Sequence, residues 1–298
     1  MLYINVKTDI PVRLDRYIRR YYPSLTQGII EKSLRTGCIQ LNNQKSKAHV
    51  RVNRGDYITF SSGLVIEDNN YSSNNYTCSI ITLAKKLLSE YLIHTSPEFI
   101  VINKPHNLAV QGGSKINLSI DEALSYLNQV EGHEYKIVHR LDKPTSGLLI
   151  IAKGYLNAIV LSKAFREYAI KKLYSAIVSG IPNSLKDNLV HYIGQDSRGP
   201  RNNIVRELQY DGKKAETYYE VIQFIKGQSL INFSPLTGRK HQIRFHAKFL
   251  GCPIIGDNKY GGKENSRMLL HARKIIIKKS VFGREIVIKS DLPREFDL

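Results

Sequence analysis

One carboxylate stands out for the company it keeps. Residues 139–142 read His139-Arg140-Leu141-Asp142, followed by Lys143-Pro144-Thr145-Ser146-Gly147 and the apolar run Leu148-Leu149-Ile150-Ile151. Asp142 therefore sits on a short basic turn that feeds a buried strand. Arg140 and Lys143 are its close neighbours in the chain, and nearby cations favour the charged form of a carboxylate. A carboxylate placed in this way can serve as a nucleophile or as a base. The same residues also allow a structural role, because an Asp before a Pro-Thr-Ser-Gly turn can hydrogen-bond the turn backbone.

Other chemistries find little support in the spacing. The string is not a kinase catalytic loop, whose order is His-Arg-Asp behind a glycine-rich strand. Gln111-Gly112-Gly113-Ser114-Lys115 lacks the glycine-to-lysine spacing of a phosphate loop and reads as a sharp turn at a cleft edge. Cys38, Cys78 and Cys252 are far apart and odd in number, and the histidines show no ligand-pair spacing, so neither a disulfide framework nor a metal site is expected. A hydrolytic glycosidase would need two carboxylates flanking one bond. Nothing acidic lies between Asp142 and Glu167.

Two further strings accompany the first. They are Leu236-Thr237-Gly238-Arg239-Lys240-His241-Gln242-Ile243-Arg244-Phe245-His246, and Ile102-Asn103-Lys104-Pro105 with Val110-Gln111-Gly112-Gly113 close behind. In this order the three strings resemble the RluA-type pseudouridine synthases, over about residues 85–290. The resemblance implies that Asp142 is the catalytic nucleophile and that Arg244 pairs with it, orienting it bidentately. Tyr174, in Lys172-Leu173-Tyr174, corresponds to a ring that stacks on the target uracil and has been proposed as a base at C5. Arg140 corresponds to a residue that intrudes into the RNA where the target base leaves the stack, since a stacked base is out of reach of chemistry. The implied reaction is an isomerisation, which needs no cofactor. Pro144 departs from the acidic or small residue often found there and stiffens the turn.

The elements that must position these residues follow from periodicity. Phe99–Ile102, Leu148–Ile151, Tyr174–Val178, Thr217–Ile222 and Ser229–Phe233 read as strands, and residues 119–129, 155–169 and 239–250 as helices. Strands outnumber helices without regular alternation, which predicts an α+β fold with a mixed or antiparallel sheet. The family resemblance implies the pseudouridine-synthase fold, a bent mixed sheet with flanking helices. Residues 61–80 contain no Lys or Arg and are rich in Asn and Ser, which marks a boundary. The expected division is a first domain over residues 1–62, a linker over 63–84 and a catalytic domain over 85–298.

Within the first domain, Leu14, Tyr17, Ile18 and Tyr21 form the stripe of an amphipathic helix, with Arg13, Arg16, Arg19 and Arg20 around it. Pro23-Ser24 is expected to stop that helix and cap a second, with Ile29, Ile30 and Leu34 as its apolar face and Gly37 at its end. Asn42-Asn43 can take the positive φ of a tight hairpin. This region is similar to an S4-type α+β RNA-binding domain through Arg13-Leu14-Asp15, Leu34, Gly37, Leu41-Asn42 and Val52-Asn53-Arg54-Gly55-Asp56. Arg13, Arg16 and Arg20 are its candidate RNA contacts.

Lys and Arg total 44 against 26 acidic residues, a net charge of +18, of which +7 falls within residues 1–60. A chain this basic commonly meets a polyanion, nucleic acid first and an anionic membrane second. No apolar run is long enough to span a bilayer, and the N-terminus lacks a secretory pattern, so a cytoplasmic monomer is expected. An S4-like module joined to a synthase domain is the arrangement of family branches acting on large-subunit ribosomal RNA, the RluC-like branch in particular. A synthase acting on transfer RNA and a noncatalytic RNA-binding or ribosome-assembly factor are the alternatives.

Overall fold

The computed structural model describes residues 2–8, 11–22, 25–61, 76–112, 116, 118–195 and 204–297. Two compact units emerge, Met1–Asn75 and Tyr76–Leu298. Each has an apolar core of its own.

The first unit holds β1 (Leu2–Asn5), β2 (Val12–Arg13), α1 (Leu14–Tyr21), α2 (Gln27–Thr36), β3 (Ile39–Leu41), β4 (Arg51–Val52) and β5 (Tyr57–Phe60). An antiparallel sheet runs in the order β1-β5-β3, and β2 pairs separately with β4. Helix α1 buries Leu14, Tyr17 and Ile18 as the spacing requires. Pro23 and Ser24 lie outside the described residues. The cap of α2 is instead Thr26, whose hydroxyl accepts from the Ile29 N–H. The buried face of α2 is Ile30, Ser33 and Leu34, so Ile30 and Leu34 lie on the predicted face while Ile29 is exposed and Ser33 takes its place. Gly37 ends the helix at φ 87°, and Asn42 and Asn43 take φ 51° and 62° in the turn after β3.

The second unit begins earlier than expected. Helix α3 (Cys78–Leu88) occupies the end of the stretch read as linker, with the Thr77 hydroxyl accepting from Ile80 N–H at its start. It buries Leu83, Ala84 and Leu87, which makes it core rather than connection. The Asn/Ser-rich composition immediately before it masked that stripe. The predicted linker therefore stops short of residue 76, and residues 62–75 lie outside the described part.

After α3 come β6 (Leu92–Thr95), β7 (Phe99–Lys104), α4 (Ile120–Val130), β8 (Tyr135–Ile137), β9 (Ser146–Lys153), α5 (Tyr155–Arg166), β10 (Ile170–Ser179), β11 (Lys186–Gln195), β12 (Val205–Glu207) and β13 (Lys213–Ile225). The unit closes with β14 (Gln228–Pro235), α6 (Gln242–Phe249), β15 (Leu270–Ile277), α7 (Lys279–Phe282) and β16 (Ile286–Lys289). Eleven strands form one sheet, β12-β11-β13-β14-β10-β15-β9-β7-β6, with β16 on β15 and β8 on β9. The β9–β15 pair is parallel and the other described pairs in the sheet are antiparallel, which gives the expected mixed sheet.

Alternation along β7 and β9 assigns the two faces. Ile100, Ile102, Leu149 and Ile151 join α3, α4 and α6 in one core. Phe99, Val101, Leu148, Ile150 and Ala152 join α5 and α7 in another. A strand covered on both sides reads as a continuous apolar run, and β9 is such a strand.

Candidate active site

The turn carrying Asp142 lies between β8 and β9 and is pinned on both sides. Before it, His139 Nε2 accepts the backbone N–H of Ile150 at 2.8 Å, and its ring packs against Phe165. Burial drops the His139 pKa to about 3, so the ring stays neutral and able to accept near pH 7. After it, the Lys143 carbonyl accepts from Lys104 Nζ at 3.2 Å, and that ammonium also reaches the Pro105 and Leu108 carbonyls at 3.0 and 2.8 Å. Lys104 is fully buried at the end of β7. Burial pulls its pKa down to about 7, with the Asp142 charge opposing that pull. The turn closes on itself where Thr145 N–H donates to the Asp142 carbonyl.

Immediately downstream, Ser146 and Gly147 form the short parallel ladder with His271 and Ala272 of β15. Ser146 Oγ bonds His271 Nδ1 at 2.8 Å and receives Arg267, while His271 Nε2 meets Ser290 Oγ at 3.1 Å. Gly147 has φ 108°, and a Cβ there would lie 2.4 Å from the Ala272 carbonyl oxygen. Only glycine fits this approach. On its other edge β15 pairs with β10, and the partner of Ala272 is Tyr174. Gly147, Ala272 and Tyr174 thus form one row across the sheet. The register of this pair shifts between Leu173 and Tyr174, where Arg273 of β15 is the extra residue of a bulge.

Arg244 approaches from α6. Its Nε and Nη2 grip both oxygens of Asp257 at 2.6 Å each, and only Nη1 is left for Asp142 Oδ2, at 3.5 Å. The bidentate pairing expected with Asp142 is made with Asp257 instead. Arg244 and Asp257 are both buried, which is tolerable for a charge only when it is paired and hydrogen-bonded. Burial by itself would lower the Arg244 pKa, but the hydrogen bonds and charge of Asp257 outweigh it, so the guanidinium is held more firmly charged than usual.

The segment before α6 is a loop, not the predicted helix. His241 sits at φ 53° as the N-cap, so α6 starts three residues later than the periodicity suggested. Gln242 locks that start. Its amide oxygen accepts from Thr237 Oγ1 and Arg239 N–H, and its amide nitrogen donates to the Glu216 carbonyl and Thr217 Oγ1. All four of its hydrogen-bonding positions are filled.

These residues converge on one cleft of about 770 Å³, lined among others by Arg140, Asp142, Lys172, Tyr174, His241 and Arg244. The structure brings together the four residues the sequence proposed for this region. Tyr174 is almost fully buried, and burial, then the nearby Asp142 charge, raise its phenol well above the usual range. Lys172 lies in the cleft with its amine about 6 Å from the Phe165 ring centroid, and burial lowers its pKa to about 8.

Arg13, Arg16 and Arg20 belong to the other unit. Arg13 is engaged: its guanidinium holds buried Asp15 through Nε at 3.1 Å and Nη2 at 2.6 Å. Burial would push the Asp15 carboxyl up, but its bonds from Arg13, Gln27 and the Arg16 N–H hold it below the ordinary range. Arg16 is exposed, and the Arg20 side chain lies outside the described part.

Sequence reasoning missed Asp257, His241, Tyr260, Lys172 and the structural work of His139 and Lys104. One signal was available for two of them. Gly256-Asp257-Asn258-Lys259-Tyr260-Gly261-Gly262 places an acid and a tyrosine inside a glycine-bracketed turn, a pattern that fixes polar groups rather than extending a strand.

Residues 98–249 match the family described as RNA pseudouridylate synthase, and that stretch contains Asp142, Tyr174 and Arg244. The ribosomal large subunit pseudouridine synthase C of Rickettsia typhi is 46% identical over 298 residues, covering 98% of each chain. The chain belongs to the RNA pseudouridylate synthase family. A synthase of the same name from Buchnera aphidicola subsp. Acyrthosiphon pisum is 29% identical, covering 99% of this chain and 95% of that one. Among solved structures, human RNA pseudouridylate synthase domain containing 4 superposes with a TM-score of 0.61 at 28% identity, over 73% of this synthase and 94% of the human chain. The human domain containing 1 protein gives 0.56 at 28% identity, over 67% and 82%.

Proposed function

We propose that this synthase converts uridines of large-subunit ribosomal RNA to pseudouridine with Asp142 as nucleophile. The observation that carries the reading is the convergence of Asp142, Arg244 and Tyr174 on one cleft, in a chain similar end to end to relatives named for that reaction. The N1–C1′ bond of uridine breaks, the base turns, and C5 bonds to C1′. The C5 proton leaves to solvent and N1 regains one, so the reaction balances without a group donor, a redox partner or a cofactor.

The chain's residues divide the work. Asp142 attacks, or removes a proton from, the sugar. Asp257 absorbs two of the three Arg244 nitrogens and so aims the third at Asp142 Oδ2. Tyr174 acts as the stacking platform, a contact worth about 1–3 kcal/mol per base. Burial and the Asp142 charge both disfavour its phenolate, which argues for stacking over proton removal at C5. Arg140 at the exposed rim fills the gap left by the flipped base. Arg16 and Arg20 of the S4-like unit hold flanking RNA, and Arg13 braces Asp15. Among the described residues no helix is long and apolar enough to cross a membrane. We infer a monomer working in the cytoplasm, where its RNA is made.

The test is tritium release from ribosomal RNA labelled at uridine C5. The wild-type protein should release tritium, and Asp142→Asn should release none while binding the RNA as before, because an amide is a very poor nucleophile. Undiminished turnover in the variant would remove Asp142 from the mechanism.

A further inference from the structure

Asp142 has a second neighbour besides Arg244. His241 Nε2 lies 3.9 Å from Asp142 Oδ2, the oxygen that Arg244 Nη1 also approaches. Among the described residues Oδ1 has no hydrogen-bond partner. The carboxylate is therefore handled from one side, and its two oxygens are not equivalent.

The far side of the imidazole is fixed as well. His241 Nδ1 lies 3.1 Å from the Tyr260 hydroxyl, with the two rings edge to face. That hydroxyl accepts the Val205 N–H at 2.9 Å, so its own proton must point elsewhere. The candidates are His241 Nδ1 at 3.1 Å and the Val205 carbonyl at 3.5 Å, and the nearer one is the ring nitrogen. If Tyr260 donates to Nδ1, the ring proton resides on Nε2 and faces Asp142. The opposite tautomer would aim the Nε2 lone pair at a carboxylate. Both ends of the ring thus select the same tautomer. Two further facts keep this chain of donors in place. Burial holds His241 near pKa 4, so the ring is neutral at pH 7, and burial raises Tyr260 to about 12, so it remains a donor.

We propose that His241 is a positioning residue for the nucleophile. Tyr260 sets its tautomer, and its Nε2–H together with Arg244 fixes Asp142 Oδ2, which leaves Oδ1 as the attacking oxygen. This rests on the assignment of Asp142 as nucleophile. The gap of 3.9 Å closes when RNA fills the cleft, since hydrogen bonds to catalytic groups are commonly long before substrate binds.

The experiment combines nitrogen NMR of histidine-labelled protein with kinetics. His241→Phe identifies the His241 signals by their loss. At pH 7 the wild-type ring should be protonated at Nε2 and bare at Nδ1, and Tyr260→Phe should give a mixture of tautomers. A ring protonated at Nδ1, or a doubly protonated one, overturns the proposal. In tritium release, His241→Phe should lower kcat by about ten- to a hundredfold, as expected for a lost hydrogen bond to a charged group, with KM near the wild-type value. His241→Gln, which keeps an amide donor, should recover part of that loss. A kcat unchanged in His241→Phe, or equal losses in the Phe and Gln variants, also overturns it. If His241→Phe does not fold, Tyr260→Phe and the wild-type tautomer still decide. Absence of tritium release by the wild-type protein would reject the enzymatic reading instead, and the tautomer would be measured independently of it.

Discussion

Asp257 offers the sharpest test of how the cleft is organised, because it is linked to Asp142 only through Arg244. Asp257→Asn keeps the side chain's shape but removes its charge and one of the two acceptors that hold Arg244 Nε and Nη2 at 2.6 Å. The amide nitrogen would then face a guanidinium N–H, donor against donor. Arg244 is 4% exposed and cannot shed its charge into water, so the variant carries a buried, half-paired cation. Breaking a buried pair from one side costs about 3–5 kcal/mol. In a unit the size of Tyr76–Leu298, each kcal/mol shifts the melting temperature by about 2–4 °C, so calorimetry should record a fall of at least about 6 °C. Turnover should fall by about tenfold or more, because Nη1 is no longer aimed at Asp142 and about 1.4 kcal/mol of barrier is a factor of ten. Arg244→Met combined with Asp257→Asn should be more stable than Asp257→Asn alone, since no charge is then stranded. Wild-type melting and turnover in Asp257→Asn, or a double variant less stable than the single one, would refute this account of the pair.

His246 is fully buried on α6, and neither ring nitrogen has a hydrogen-bond partner among the described residues. Its folded pKa is lowered from 6.5 to about 4, first by burial and then by His191, so stability is complete above pH 6.5 and drains away as pH falls toward 4. His246→Leu should therefore gain about 1 kcal/mol over wild type at pH 5.5 relative to the difference at pH 7.5, read by urea denaturation; parallel pH profiles would count against it. Gly147→Ala meets both a φ of 108° and the Ala272 carbonyl, and should lose thermal stability and turnover together; a wild-type melting temperature would show that the seam yields cheaply. Deleting residues 1–75 should preserve the specificity constant on a short RNA bearing the target uridine and reduce it on full-length ribosomal RNA, since a tethered binding unit raises effective concentration. Equal losses on both substrates would make the first unit part of the catalytic fold.

Much of this molecule could be read in its sequence, and each part that could not has a physical cause. The strand over Phe99–Lys104 and the doubly covered strand over Ser146–Lys153 announce themselves through unbroken apolar runs, and α4 through its spacing. Asp142 is legible because its string is contiguous. Asp257 and Tyr260 are not, because their importance comes from meeting Arg244 and His241 in space. The start of α6 was misread because a left-handed His241 is invisible to hydrophobic periodicity, which senses faces and not single φ values. Helix α3 was lost for a compositional reason: its polar approach outweighed the Leu83 and Leu87 that bury it.

The row of Gly147, Ala272 and Tyr174 makes the layout of the cleft depend on counting. Ala272 is the shared partner of both neighbours, so the alignment of Tyr174 with the turn that carries Asp142 is set by the registers of β9 and β10 on β15. Side chains alternate faces along a strand, and a slip of one residue moves them by about 3.3 Å and turns each to the opposite side. A one-residue slip of β9 or β10 against β15 would leave Asp142 and Tyr174 chemically intact but out of step. Its effect should be all or nothing, whereas insertions at the outer strands β12 or β6 leave that count untouched. Lengthening in this fold is therefore tolerated according to distance from a single alanine, which has no chemistry of its own.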